Sequence, residues 1–174
     1  MTALLSGFFV VCALLVVAGA AKLRSPSAAI GALGTAGLRV PSGAVRSLGA
    51  AEIAIGALAA VRPSAVTAAA VGFLYGAFAG LVLRLVRSAD AAPCGCFGSA
   101  GPKASMMHCA LNVVACATAI AAAVAPPPGI AWVVQQDPLV AVSVALGLGG
   151  AAFAAYLAFT AFPAAWGAYQ ARPR

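Results

Sequence analysis

Residues 65–86 read AVTAAAVGFLYGAFAGLVLRLV, and the first charge in that run is Arg84. About 20 apolar residues cross the hydrocarbon of a bilayer as a single helix. The stretch therefore predicts a membrane span that closes on Arg84 and Arg87. Gly72, Gly76 and Gly80 recur at every fourth position, which puts three small residues on one helix face. Lipid offers little hydrophobic drive between helices, so close backbone approach through small residues supplies the association. The run reads as one helix of a packed bundle.

The rest of the chain agrees. Of its 174 residues 64% are hydrophobic and 7% are charged, with a mean hydropathy of +1.06. A soluble domain carries about 25% charged residues, so this chain is a membrane protein and its main partner is the lipid bilayer. Its net charge of +7 comes from bases scattered singly between apolar spans. They act as topology determinants and do not make a nucleic-acid surface.

Four more segments approach the length of a span: Ala3 to Ala21, Ser47 to Val61, Met107 to Ala125, and Leu139 to Phe162. No Lys or Arg precedes the first, so it lacks the basic start of a signal peptide and reads as a retained helix. The second is short and opens on Glu52. Between the first two spans, Ser27 to Leu38 is expected to form a short interfacial helix started by Ser25-Pro26. Arg62-Pro63-Ser64 is a tight turn that makes its flanking spans antiparallel neighbours. Pro126-Pro127-Pro128-Gly129 is a stiff breaker, and Asp137-Pro138 can cap the fifth helix. Gly147, Ala151 and Ala155 repeat the small-residue spacing in that helix. The fold expected is all-α, a polytopic transmembrane helical bundle.

One gap stands out, Ser88 to Ser105, because it holds Cys94-Gly95-Cys96-Phe97-Gly98. With alternating spans, Lys22, Arg24, Glu52, Arg84, Arg87, His108 and Asn112 all fall on the same side of the membrane as this motif. The opposite side offers only Arg62 and Asp137. An ionisable residue inside a span is costly and usually pairs with a base. Lys22 and Arg84 are the natural partners of Glu52, and a structural ion pair fixing helix register is the plainer role for it. Arg84 and Arg87 also suit snorkelling anchors.

A thiolate is the reactive form of cysteine and is favoured near cations or a helix N-terminus. A disulfide across one intervening residue closes a small ring, and strained, exposed disulfides are labile and oxidising. That favours Cys94 and Cys96 as a redox-active pair, with Cys109 as a resolving or relay thiol beside His108. Cys12 and Cys116 lie mid-span, where cysteine usually packs as a small hydrophobe. Zinc is the chemical rival: Cys94, Cys96, His108 and Cys109 supply four candidate ligands, but their spacing matches no standard pattern. No metal is assigned, and a haem would have only His108 as an axial ligand.

Gly19-x-x-Lys22-Leu23, Glu52, Cys94-Gly95-Cys96-Phe97-Gly98 and Asn112 together resemble the MauE family, which belongs with the DoxX-like four-helix membrane proteins. The resemblance covers about residues 1–125. It implies a DoxX-like four-helix core over 1–125, with 126–174 adding a Pro-rich loop, a fifth transmembrane helix and a short basic tail. The family often shows Arg-Asn at the start of span four, where this chain has Leu111-Asn112. The resemblance implies a redox-associated accessory protein of the bacterial cell membrane. In the namesake the client is the disulfide-rich small subunit of methylamine dehydrogenase, in methylamine metabolism. The more portable implication is thiol–disulfide exchange with a thioredoxin-like partner or a client protein, and a membrane quinone as electron carrier. Cys94 and Cys96 would be the exchanging pair of such an oxidoreductase, with Lys22, Glu52 and Asn112 shaping the pocket. The alternative is a non-catalytic scaffold or metal-binding accessory protein. A small-solute transporter is weaker, since broken-helix and repeat signals are missing.

Sidedness bears on the choice. Lys22, Arg24, Arg39, Arg46, Arg84, Arg87, Lys103, Arg172 and Arg174 all lie on one side, which the positive-inside rule makes cytoplasmic. The expected topology is N-out and C-in. Oxidative maturation of an exported protein would place the motif outside, whereas a cytoplasmic motif fits delivery of reductant.

Overall fold

The structure, a computed structural model, describes residues 2–88, 95–97 and 103–170. Cys94 and Gly98 lie outside them. The described residues form eight helices and no strand elements: α1 (Thr2–Arg24), α2 (Ser27–Thr35), α3 (Ser42–Val61), α4 (Ala65–Arg87), α5 (Met106–Val124), α6 (Ile130–Val134), α7 (Pro138–Thr160) and α8 (Phe162–Gln170). Five of them, α1, α3, α4, α5 and α7, are long and apolar enough to cross a membrane. The chain is a polytopic helical bundle.

Local chemistry sets the helix ends. Pro41 precedes α3 with an extended ψ of 156°, so α3 starts at Ser42, five residues before the apolar run at Ser47. Glu52 therefore does not open the second span. It stands ten residues past Ser42, about 15 Å along the axis, and the first turns of α3 overhang the end of α1. Ser64 and Thr67 form a reciprocal capping box: the Thr67 N–H donates to Ser64 Oγ at 3.2 Å, and the Ser64 N–H donates to Thr67 Oγ1 at 2.9 Å. Asp137 accepts from the Leu139 N–H at 2.9 Å and starts α7 as expected.

The fifth span stops at Thr160, and the chain turns at Ala161 into α8. Pro163 has no N–H, so it cannot bond the carbonyl four residues back. That carbonyl belongs to Phe159 and is left for another donor. The sequence reading did not anticipate either α6 or α8.

Four helices share one core. Phe8, Cys12 and Leu15 of α1, Ala59 of α3, Val71 and Tyr75 of α4, and Ala115 and Ala119 of α5 are all buried together. The Tyr75 hydroxyl donates to the Val11 carbonyl at 2.8 Å, which removes the one polar atom of that ring from lipid. The tightest seam joins α1 to α3. A Cβ on Gly49 would sit 2.7 Å from the Gly19 carbonyl oxygen and 3.1 Å from Lys22 Cβ, and one on Gly19 would collide with the Gly49 carbonyl. On α4, Gly72 and Gly76 face α5, where their nearest side chains include Ile120 and Cys116. Gly80 and Gly147 meet nothing within 4 Å, so neither small-residue stripe packs along its full length. Apart from Phe159, no residue of α7 is buried.

The seam makes a clear contrast. We expect Gly49→Ala to destabilise the protein by about 1–3 kcal/mol, the usual cost of overpacking. Gly147→Ala has open space and gains helix propensity, so it should be neutral or slightly stabilising. Reversible unfolding in detergent micelles checks both, and equal effects at the two sites would contradict the packing described.

Candidate functional site

Three helices converge on one ammonium group. Lys22 lies near the end of α1 and Glu52 mid-way along α3, and the Gly19–Gly49 seam brings their backbones close enough to meet. Lys22 Nζ donates to Glu52 Oε2 at 2.9 Å, as the only ion pair among the described residues. It also donates to the Cys96 carbonyl at 3.3 Å and to the Ala18 carbonyl at 3.5 Å. Those acceptors use all three ammonium donors. From α4, the Phe78 ring lies beneath the charge with its centroid 5.1 Å from Nζ, a cation–π contact strengthened by desolvation.

Burial is nearly complete, with Lys22 4% exposed and Glu52 0%. Two charges held out of water are stable only if well paired. Here the pairing is uneven, because Glu52 Oε1 is buried without a hydrogen-bond partner among the described residues. An orphaned acceptor of this kind carries a desolvation cost. Arg84, the other expected partner of Glu52, points elsewhere. It is exposed, and its guanidinium lies by the α2–α3 loop, where a Cβ on Gly37 would be 3.6 Å from Nη2.

The described part of the cysteine motif, Gly95 to Phe97, sits in the bundle by contacts on several sides. Gly95 adopts φ +70°, a left-handed conformation that glycine takes without steric cost. Its Cα rests on α2, where a Cβ would sit 2.7 Å from the Ala28 carbonyl oxygen. Both the dihedral and the contact require glycine. Cys96 is half-buried and packs against a small cluster of Ala79, Val82 and Cys109. Cys109 is buried, and its thiol donates to the Ala79 carbonyl at 3.7 Å. Phe97 reaches α7, where it makes edge contacts to Tyr156 at 5.3 Å and Phe159 at 5.7 Å between centroids.

His108 joins α5 to α7. Its Nε2–H donates to the Phe159 carbonyl at 3.0 Å, the same carbonyl that Pro163 leaves unbonded, so in the neutral ring Nδ1 accepts from the Ser105 hydroxyl at 2.9 Å. With both nitrogens engaged, His108 is a structural link in this arrangement. Asn112 donates from Nδ2 to the His108 carbonyl at 2.7 Å. Asn112, Cys96, Phe97, Tyr75, Phe78 and Phe159 all border a cavity of about 10 Å³, room for roughly one water.

The structure thus gathers Lys22, Glu52, Cys96, Cys109, His108 and Asn112 at one end of the bundle, and leaves Arg84 outside. Cys94 falls outside the described residues. Phe78, Tyr156 and Phe159 were not legible as site residues, because an aromatic in an apolar run carries no sign of which helix it will face. The charge of Lys22 did carry a signal, since a buried lysine needs a carboxylate and only Glu52 lies in a span.

Removing either charge alone strands the other. Lys22→Met or Glu52→Gln should each cost about 3–5 kcal/mol, and the double variant should cost clearly less than the two summed. A double-mutant cycle by unfolding in micelles measures this, and strict additivity would contradict the pair.

The family model described as "Methylamine utilisation protein MauE" matches residues 1–126 of the 174. This covers α1 to α5 and ends before α6. No curated protein and no solved structure matches the chain.

Proposed function

The chain belongs to the MauE family, and from that premise we propose that it is a membrane accessory protein performing thiol–disulfide exchange through Cys94 and Cys96. The observation that carries the reading is the Lys22 ammonium, held by Glu52 and donating to the Cys96 carbonyl at 3.3 Å. The contact is to the backbone beside the sulfur, and Glu52 balances the charge, so Lys22 acts on where Cys96 sits. A loop pinned at its backbone holds its sulfur in one place, as exchange chemistry requires.

A client thiolate attacks one sulfur of the Cys94–Cys96 disulfide. That S–S bond breaks, an intermolecular disulfide forms, and the other cysteine leaves as a thiolate. A second client thiolate then displaces the first cysteine. The client leaves oxidised by two electrons, and the two client thiol protons are taken up by the cysteine pair or by water. Reversal reduces a client disulfide. The electron pair is exchanged with a thioredoxin-like protein or a membrane quinone, either of which is a competent two-electron partner. We read Cys109 as a relay thiol, and its position beside Cys96 in the same cluster supports that reading.

We assign the site to the cytoplasmic side of a bacterial inner membrane, because the bases at that end of the bundle outnumber those at the other. That side suits reduction of a client or of a carrier. The family description, methylamine utilisation, makes the disulfide-rich small subunit of methylamine dehydrogenase the first client to examine.

The test is a trap. In Cys96→Ser, Cys94 can attack a client disulfide but cannot resolve the product, so a mixed disulfide should accumulate several-fold over wild type in cells. It should disappear in Cys94→Ala/Cys96→Ser, and in inverted vesicles an impermeant maleimide should block it. If no adduct forms while the variants remain folded, the exchange reading fails and a scaffold role takes its place. Blockage only in right-side-out vesicles reverses the assigned topology.

A further inference from the structure

We propose that Phe97, Tyr156 and Phe159 form an aromatic seal between the cysteine site and the lipid. The reactant at Cys96 is then a water-soluble thiol or disulfide, such as a protein dithiol, and not one dissolved in the bilayer. The inference rests on the thiol-exchange reading and names the class of partner that the site takes.

Among the described residues, several elements bound Cys96. Lys22 of α1 holds its carbonyl. Ala28 and Ala29 of α2 back onto Gly95. Ala79 and Val82 of α4 and Cys109 of α5 form the cluster that Cys96 packs against. A further flank is lined by Phe97 and its two ring partners on α7. Behind these rings lies the cavity bordered by Cys96, Asn112 and Tyr75, and at about 10 Å³ it is far too small for a ring-bearing carrier. A lipid-dissolved quinone would have to displace Phe97 or Phe159 to reach the sulfur.

The helix that supplies the seal packs along α1 but buries little of itself. Phe159 is the only buried residue of α7, while Leu139, Leu146 and Phe153 are 80%, 73% and 62% exposed. Two features of the chain fasten α7 at this corner. Pro163 leaves the Phe159 carbonyl without its helical donor, and His108 takes that place from α5 at 3.0 Å. The bond is to the backbone, so it survives replacement of the Phe159 side chain. The seal can therefore be opened by mutation without undocking the helix. Residues 127–170 lie beyond the matched family segment, so this wall is an addition to the α1–α5 core.

The experiment uses the full chain, reduced, in lipid nanodiscs. Alkylation of Cys96 is followed by peptide mass spectrometry with two probes, a sulfonated maleimide confined to water and N-dodecylmaleimide, which partitions into lipid. In Tyr156→Ala/Phe159→Ala, the dodecyl reagent should label Cys96 about tenfold faster than in wild type, the scale set by losing two aromatic contacts. The sulfonated reagent should change by less than about twofold. Phe153→Ala, on the lipid-facing side of α7, should change neither rate. An unchanged dodecyl rate, or an equal rise with both probes, overturns the seal. Should the double variant not yield folded protein, Phe159→Leu replaces it, with a several-fold dodecyl-selective rise supporting the seal and no rise overturning it. The two readings fail separately. Loss of the seal leaves mixed-disulfide trapping intact, and a failed trap leaves the labelling contrast intact.

Discussion

A lysine ammonium at the end of α1, 2.9 Å from the carboxylate of Glu52 in α3, is the constraint on which the site depends. Neither group can sit in lipid alone, because an isolated charge there costs several kcal/mol. The pair forms only if the two helix backbones approach closely, and Gly19 and Gly49 permit that approach because each would otherwise press a Cβ into the other's carbonyl. Once paired, the ammonium still has donors to place. One of them reaches the Cys96 carbonyl, so the pair that fixes α1 against α3 also holds Cys96. Packing, charge and the position of Cys96 are one coupled problem here, and Glu52 Oε1, buried without a hydrogen-bond partner among the described residues, carries a residual cost at the site.

A second chain of causes runs from the opposite end of the sequence. Pro163 interrupts hydrogen bonding after α7 and frees the Phe159 carbonyl, which His108 then binds. The Phe159 ring, held in place by that bond, meets Phe97 of the motif. The cysteine loop is thus held by α1 through its backbone and by α7 through its aromatic residue, while α2 supports Gly95 from below. Under the proposed exchange role, these contacts would hold Cys96 for the collinear approach of an attacking thiolate.

Much of this was legible in the sequence for simple physical reasons. Apolar length gave the five spans, and the cost of charge in lipid marked Glu52 as needing a base, with Lys22 and Arg84 both eligible. What was not legible depended on three-dimensional register. Ser42 to Arg46 looked like loop because Arg46 breaks the apolar run, yet Pro41 starts a helix there, and Glu52 moved from the mouth of a span to its middle. Arg84 matched Lys22 in type and side, but its helix turns it toward the α2–α3 loop. The regular stripe at Gly72, Gly76 and Gly80 was easy to see and is only partly used, while the Gly19–Gly49 seam, split between two helices, has no periodicity to reveal it. Phe97 was visible as part of the motif, but its partners on α7 sit some sixty residues away and carry no pattern linking them to it.

The central claim is that Cys94 and Cys96 form an exchanging couple poised by Lys22. It is tested most directly by redox titration of the full chain in nanodiscs, scored by alkylation of the two cysteines across defined glutathione or dithiothreitol ratios. The account predicts a single two-electron couple between about −120 and −270 mV, the range of exchange catalysts, and a shifted midpoint in Lys22→Met. A pair that stays oxidised below about −300 mV, as structural disulfides do, or two cysteines that titrate independently and ignore Lys22→Met, would contradict it.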